Sequence, residues 1–167
     1  MQPVREAGSD PAFLRKALGE AAGEARRLLE GLPRRFLLRK GEGWDEDWCL
    51  LAIAVHLRDV ERGFVRQVEA FFEHDHPRLE HVDVDDIPAV EDYEGEDDDD
   101  VLEEWRYLRR HTTYLLWGLL PSDWDRTADH PYRGPVSLLD VARAMYEHDL
   151  EHLWQARRML DWLERSR

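Results

Sequence analysis

Apolar side chains recur every three or four residues in four segments of the chain, which is the period of an amphipathic α-helix. The four predicted helices span about 11–32, 44–73, 101–120 and 138–165. Together they predict an all-α fold of four helices. The inward positions of the fourth helix show the pattern best, and they are Leu138, Val141, Met145, His148, His152, Gln155, Met159 and Trp162.

Capping signals mark where two of these helices begin. Asp10 precedes Pro11, and proline is favoured in a first helical turn because it leaves no N–H unpaired. Ser137 is followed three residues later by Asp140, close to the capping-box form in which each side chain binds the other residue's backbone N–H. The connection at 121–136 is rich in turn-forming residues and shows no period, so we expect it to be irregular.

The helical pattern is lost between about residues 74 and 100, which predicts a long connection between the second and third helices. Residues 91–100 of this connection are almost entirely acidic. They lack the alternating ligand spacing and the later bidentate glutamate of an EF-hand calcium loop. Carboxylates just before a helix N-terminus are stabilised by the helix dipole, and we favour that explanation.

Composition limits the class of protein. A chain of 167 residues is long enough to bury its own core, so residues 1–167 are predicted to form one domain. The formal net charge of -14 disfavours binding to nucleic acid and to anionic membranes. The only cysteine, Cys49, excludes an intramolecular disulfide. The sequence shows neither a signal peptide nor a membrane span, and we therefore predict a cytoplasmic protein.

His148 and His152 interrupt the apolar face of the fourth helix. They lie one turn apart, the spacing at which two imidazoles can bind one metal ion. With Gln155 they form three consecutive polar inward positions, and each unsatisfied buried polar group costs about 1–3 kcal/mol. Metal coordination would compensate that cost. A buried hydrogen-bonded cluster without a metal is the alternative.

A third ligand would come from earlier in the chain. His56 is the best placed, because its neighbours on the same helical face carry no charge. If His56 stood alone, a core histidine bonded to a carboxylate or a carbonyl would be the better interpretation. The full set of earlier candidates is His56, His74, His76, His81, His111 and His130.

Two known kinds of histidine site fit the sequence poorly. The zincin motif His-Glu-x-x-His needs a glutamate where this chain has Asp149, and no histidine follows His152 as a downstream ligand. A di-iron site in a helical bundle needs two Glu-x-x-His pairs, and the chain has one, Glu73 to His76, at a helix end. A mononuclear centre fits better.

Four stretches of the sequence resemble the DinB/YfiT-like superfamily, and they are 44–61, 123–126, 130–134 and 148–155. The resemblance extends in order from about residue 10 to about residue 163. It implies a four-helix bundle with an up-down-down-up arrangement, in which His56, His148 and His152 bind one divalent ion, usually zinc or nickel. It also implies a homodimer and metal-dependent S-transfer or isomerisation with a low-molecular-weight thiol.

Three further residues are candidates for the chemistry of such a site. Arg109 would hold a carboxylate of a thiol cosubstrate at the pocket mouth, or else form a salt bridge to Asp59 or Glu61. Asp59, one turn after His56, would accept a hydrogen bond from that imidazole, or else be an exposed helix carboxylate. Gln155 would bond a metal-bound water, or else satisfy a packing contact.

Three imidazole ligands leave at least one coordination position open, as in catalytic zinc sites. A divalent ion lowers the pKa of a bound thiol or water, which makes a nucleophile near neutral pH. We therefore expect a metal-dependent enzyme acting on a small molecule, of the thiol S-transferase or hydrolase type. The alternative is a noncatalytic, stress-associated bundle in which the ion stabilises the fold or a dimer. The sequence names neither substrate nor metal, since imidazole suits several first-row ions.

Overall fold

The computed structural model describes residues 8–85 and 93–166. Four long helices dominate it, α1 (Pro11–Leu29), α2 (Leu50–Glu73), α3 (Asp98–Trp117) and α4 (Leu138–Arg165). A short helix at Arg34–Leu37 and 3₁₀ turns at Gly43–Asp45 and Pro121–Asp125 lie between them. The mostly helical fold expected from the period of apolar residues is confirmed.

The two capping signals act as the sequence predicts. The Asp10 carboxylate accepts a hydrogen bond from the backbone N–H of Ala12 at 2.9 Å. Ser137 and Asp140 form a reciprocal capping box at the start of α4, with the Ser137 hydroxyl oxygen accepting from the Asp140 N–H at 3.0 Å. These local bonds satisfy N–H groups that no helical carbonyl can reach, and so they fix where both helices begin.

Helix α2 begins at Leu50, not near residue 44 as predicted. Residues 43–45 form a 3₁₀ turn, and Gly43 has a φ of 61°, a conformation that interrupts a right-handed helix. The N–H of Gly41 donates to the carbonyl of Trp48 at 2.9 Å and closes this loop. Cys49 is the N-cap, its sulfur accepting from the Ala52 N–H. The period of apolar residues therefore begins several residues before the helix itself.

Helix α3 spans Asp98–Trp117 instead of the predicted 101–120. The Asp97 carboxylate accepts from the N–H groups of Asp99 and Asp100, and so it caps the helix. Three aspartates that were expected to precede the helix thus form its first turn, where the dipole still favours negative charge. Residues 86–92, which include the first part of the acidic run, lie outside the described residues.

A β-hairpin in the connection between α3 and α4 departs from the purely helical prediction. Strands β1 (Thr127–His130) and β2 (Gly134–Ser137) pair antiparallel, with Ala128 opposite Val136, and both of these side chains are buried. Gly134 adopts a φ of 71°, which suits the tight turn. Strands of four residues are too short for the two-residue alternation to stand out in the sequence.

Ion pairs and backbone contacts show the directions of the helices. Helices α1 and α3 run in opposite directions, since Arg26 near the end of α1 pairs with Glu103 near the start of α3 at 3.1 Å. Helices α2 and α3 run in the same direction, since Arg62 pairs with Glu104 and Glu69 pairs with His111. Helices α1 and α4 also run in the same direction. Their contacts are Arg143 with the carbonyl of Gly8 and Arg157 with Glu24.

Two apolar clusters fill the bundle, one toward each end. The first includes Ile53 and Trp105, and the second includes Phe64 and Met145. A layer of buried polar side chains lies between them along the helices, namely His56, Glu61, Arg109, Thr112, His148, Asp149 and His152. Interiors of helical bundles are normally apolar, so this layer is the place where a function is expected.

No helix in the described ranges combines the length and the apolar composition that crossing a lipid bilayer requires.

Candidate metal centre

Three histidines meet in the polar layer where α2 faces α4. His148 and His152 lie one turn apart on α4, and His56 reaches them from α2. The Nε2 atoms of His56 and His148 are 2.9 Å apart, and one ring nitrogen from each of the three residues lies within 4.8 Å of the others. All three side chains are more than nine-tenths buried. The structure therefore brings together the three histidines that the sequence singled out.

The donor set fits one divalent ion. Neutral imidazole is the form that binds a metal, and burial favours that form. Burial, together with the charges that His152 and His56 would carry if protonated, lowers the pKa of His148 to about 3. Burial also lowers the pKa of His152. Three converging neutral nitrogens are a typical zinc, nickel or iron site, and they leave a coordination position open.

Gln155 orients one of the three ligands. Nδ1 of His152 donates to the side-chain oxygen of Gln155 at 2.8 Å, which leaves Nε2 of that ring for an ion. The Gln155 amide in turn donates to Asp45 at 3.2 Å. The prediction offered a bond to a metal-bound water or a packing contact for Gln155. The structure shows instead a link between His152 and the 3₁₀ turn that precedes α2.

Trp48 covers one side of the histidine cluster. The centre of its ring lies 5.3 Å from that of His56 and 5.4 Å from that of His152. A half-buried indole in this position excludes water from two of the imidazoles and holds their orientation. It strengthens any interaction made inside the site, because the local dielectric constant falls when water is excluded.

A cavity of about 300 Å³ opens beside His152. Its wall also contains Trp48 and Gln155, together with Val84. Four charged side chains complete the wall, and they are Asp45, Asp85, Glu151 and Arg158. The histidine cluster is thus buried and still reachable by a small molecule.

Arg109 lies in an ion network next to the histidines. Its guanidinium donates to both oxygens of Asp149 at 2.5 and 3.0 Å, to Glu61 at 2.7 Å and to the carbonyl of Leu18 at 3.0 Å. Thr112 donates to the other oxygen of Glu61 at 2.9 Å. Burial alone would lower the pKa of Arg109, but Asp149 and Glu61 outweigh it and raise that pKa. The guanidinium is permanently charged, and both of its terminal nitrogens are bonded, whereas its Nε has no hydrogen-bond partner within the described residues.

A sequence profile of the DinB superfamily matches residues 7–156 of this chain. The chain belongs to the DinB superfamily. The resemblance deduced from the sequence motifs is therefore confirmed. No protein of the curated set matches the chain in sequence.

The fold of this DinB chain is similar to a solved structure, that of YfiT from Bacillus subtilis. The similarity has a TM-score of 0.79 at 15% sequence identity and covers 92% of this chain and 87% of the other. YfiT is described as a probable metal-dependent hydrolase with an unusual four-helix bundle topology. At this level of identity the likeness shows the shared fold alone.

Two of the candidate residues in this DinB chain lie away from the position expected for a catalytic role. Arg109 is buried and bonded to the carboxylates of Glu61 and Asp149. Its guanidinium therefore has no free pair of N–H groups for the cosubstrate carboxylate that was expected there. Asp59 is about half exposed and pairs with Arg58 at 2.9 Å and Arg62 at 3.1 Å. This placement matches the exposed helix carboxylate that the sequence left open.

Four of the remaining candidate histidines have other neighbours, and the fifth, His74, is an exposed residue at the C-terminal cap of α2. His111 pairs with Glu69 at 2.8 Å, and His76 contacts Thr127 and Asp129 at the hairpin. His81 and His130 lie near the exposed ring of Tyr132.

Sequence reasoning missed two residues that matter to the site. Asp45 was placed inside a helix, whereas it lies in a turn and bonds Gln155. Asp149 was considered only as a poor match to a zincin glutamate, yet it holds Arg109. A signal for Asp149 did exist, because a carboxylate directly beside His148 on α4 enters the same buried layer.

Proposed function

We propose that this DinB protein is a metal-dependent enzyme that activates a thiol or a water molecule, of the thiol S-transferase or hydrolase type. One observation carries the proposal: ring nitrogens of His56, His148 and His152 lie within 4.8 Å of one another beside an open cavity. Structural metal sites are usually closed by four protein ligands, whereas three ligands leave a position for a substrate.

The roles of the residues follow from their contacts. His56, His148 and His152 hold the ion, with zinc or nickel as the first candidates. When bound, such an ion supplies Lewis acidity that stabilises the anion of a thiol or of water near neutral pH. Gln155 holds the ring of His152 in the orientation that ligation needs, and Trp48 limits the access of bulk water.

The relatives support the finer parts of the proposal. The description of YfiT as a probable metal-dependent hydrolase favours hydrolysis. A low-molecular-weight thiol as cosubstrate is what the resemblance to the DinB/YfiT-like superfamily implies. The directions of the helix pairs support an up-down-down-up order in a single domain. A small-molecule substrate, a homodimer and a cytoplasmic location complete the proposal.

Metal content is the first test. Protein purified without a histidine tag should carry about one divalent ion per chain by elemental analysis. His148→Ala should lose that ion. His111→Ala is the matched control, because His111 is exposed and paired with Glu69 outside the cluster. An equal metal content in His148→Ala and the control would contradict the proposed ligands.

Activity is the second test. The loaded protein should react in a panel that combines electrophiles with low-molecular-weight thiols, or in a parallel panel of esters and amides in water. Turnover should stop after chelation and return when the ion is added back. A fully loaded protein without turnover in either panel would contradict an enzymatic role.

A noncatalytic role is the second candidate, favoured by the position of the histidines. They join α2 to α4 between the two apolar clusters, where an ion would tie the halves of the bundle together. This role predicts a large stability loss on chelation, about 4 kcal/mol if the ion is at a thousandfold excess over its Kd, with no turnover. Thermal unfolding with and without chelator, measured beside the activity panels, separates the two roles.

A further inference from the structure

We infer that the cavity beside His152 selects a substrate that carries a positive charge, such as a protonated amine, over one that carries a carboxylate. The inference rests on the proposed function, because it names the class of molecule that the same site binds. It follows from three features of the cavity wall: the pairing of its charges, their closeness to His152, and the aromatic ring of Trp48.

The cavity wall contains more carboxylates than cations. Among the described residues that line it, Asp45, Asp85 and Glu151 are acidic, and Arg158 is the only arginine or lysine. Arg158 pairs with Asp45 at 3.2 Å, and Asp45 also accepts a hydrogen bond from Gln155. Within residues 8–85 and 93–166, neither Asp85 nor Glu151 forms an ion pair. Two exposed carboxylates without an ion-pair partner in those ranges therefore line the cavity.

These two carboxylates are close enough to the proposed ligand set to act on a bound molecule. Glu151 directly precedes His152 on α4, and Asp85 reaches the same cavity from the segment after α2. A molecule placed beside the His152 ring therefore experiences the negative potential of both carboxylates.

Trp48 adds a second attraction for a cation. Its indole lines the cavity and contacts both His56 and His152. The face of an indole attracts ammonium groups more strongly than any other aromatic side chain does. An ammonium group near the histidines would therefore meet carboxylates and an aromatic ring together.

Apart from a bound ion, the described wall of this cavity offers an anionic substrate one cation, Arg158, and Nη2 of that guanidinium already donates to Asp45. Arg109, which the sequence suggested for this purpose, is closed off by Asp149 and Glu61 and does not line the cavity. A carboxylate would have to enter against two negative charges, which disfavours its binding.

The test uses protein loaded with Co²⁺ and three small thiols of similar size: cysteamine, 2-mercaptoethanol and mercaptoacetate, whose second groups are cationic, neutral and anionic. Thiolate binding is followed by the absorption band that sulfur coordination gives to Co²⁺, which yields an affinity without any turnover. The thiols differ in acidity. The compared quantity is therefore the change in the affinity ratio of cysteamine to mercaptoacetate from one variant to another, because intrinsic thiol differences cancel in that comparison.

The double variant Asp85→Asn/Glu151→Gln should lower this affinity ratio by about fivefold or more, the scale of exposed charge pairs. Glu147→Gln is the matched control, because Glu147 is exposed one turn earlier on α4 and does not line the cavity. It should leave the ratio unchanged. In the unmodified protein the ratio should also fall as salt is added, since salt screens exposed charges.

The outcomes separate this inference from the proposed function. A protein that binds no Co²⁺ overturns the metal site and the inference with it. A protein that binds Co²⁺ and thiols, but shows the same ratio in the double variant as in Glu147→Gln, leaves the metal site intact and overturns the inference alone. A lowered ratio in the double variant supports the selection of a cation.

Discussion

Two buried polar clusters lie side by side in this bundle, and they are built in opposite ways. The histidine cluster, defined by His56, His148 and His152, contains no carboxylate and borders a cavity. The ion network, defined by Glu61, Arg109 and Asp149, is charged, and its guanidinium is held by partners from three helices. Neighbouring residues of α4, His148 and Asp149, belong to different clusters.

The difference shows how a polar core residue can be assigned to function or to structure. The carboxylates of the ion network and the terminal nitrogens of its guanidinium satisfy each other, so the network leaves little capacity for a substrate. Nitrogens in the histidine cluster converge on one point without a carboxylate among them, so they retain the capacity to bind an ion. Burial and polarity are common to both clusters. The clusters differ in whether their polar groups are already paired and in whether a cavity reaches them.

The largest expected effect comes from breaking the ion network. Arg109→Leu leaves Glu61 and Asp149 buried beside each other without a cation, and we expect a loss of about 3–5 kcal/mol in the free energy of unfolding. Urea unfolding measures it. Arg110→Ala is the matched control, because Arg110 is exposed on the same helix, and it should change stability by less than about 0.5 kcal/mol. Similar losses in both variants would contradict the structural role of the network.

The histidine cluster should show itself in the pH dependence of the metal-free protein. Burial holds the pKa of His148 at about 3, against about 6.5 in the unfolded chain. Between these values the unfolded chain binds the additional proton, so stability rises with pH from about 3 to about 6.5 and then levels off. The expected loss from pH 6.5 to pH 5 is about 2 kcal/mol.

Urea unfolding of His148→Gln over the same pH series is the comparison that isolates this histidine. Groups elsewhere in the protein titrate in both proteins and cancel in the difference. The variant should show a flatter dependence between pH 5 and pH 6.5. Equal slopes would show that His148 is not held neutral by burial.

A smaller effect is expected from the residue that orients His152. Gln155→Ala should lower metal affinity by about tenfold to a hundredfold while the fold is kept, because the ring loses the acceptor at Nδ1. Competition with a chromophoric chelator measures the affinity. Gln67→Ala is a matched control, since Gln67 is buried and hydrogen-bonded to the carbonyl of Glu80 away from the site. An unchanged metal affinity in Gln155→Ala would contradict the proposal that Gln155 orients His152.

The smallest effect concerns Asp59, whose carboxylate pairs with Arg58 and Arg62 at the surface. Asp59→Asn should change stability by less than about 0.5 kcal/mol, because exposed ion pairs contribute little. It should leave metal affinity unchanged in the same chelator competition. A tenfold fall in affinity would instead make Asp59 a hydrogen-bond partner of His56.

Local signals in the sequence predicted all four long helices, but they located only some of the helix ends correctly. Asp10 and the pair Ser137 and Asp140 located the starts of α1 and α4, because a cap acts on backbone groups two or three residues away. The start of α2 was placed too early, because residues 44–49 continue the apolar period through a turn. The hairpin was missed, since four-residue strands depend on packing against the bundle more than on their own pattern.

The sequence by itself determined which faces of the helices are buried and that three histidines lie on them. Helical periodicity is a local property, and His56, His148 and His152 each interrupt an apolar face that the sequence displays. It also carried enough of the family's motifs to identify a DinB chain.

Only the tertiary structure decided the partners of the polar residues. His148 and Asp149 both point into the bundle, yet His148 meets His56 and Asp149 meets Arg109. Which partner each residue meets depends on how α2, α3 and α4 are packed. Residues distant in the chain, such as Asp45 and Asp85, reach the cavity through loops whose paths no period encodes. Contacts between distant segments depend on packing geometry, which a local pattern does not contain.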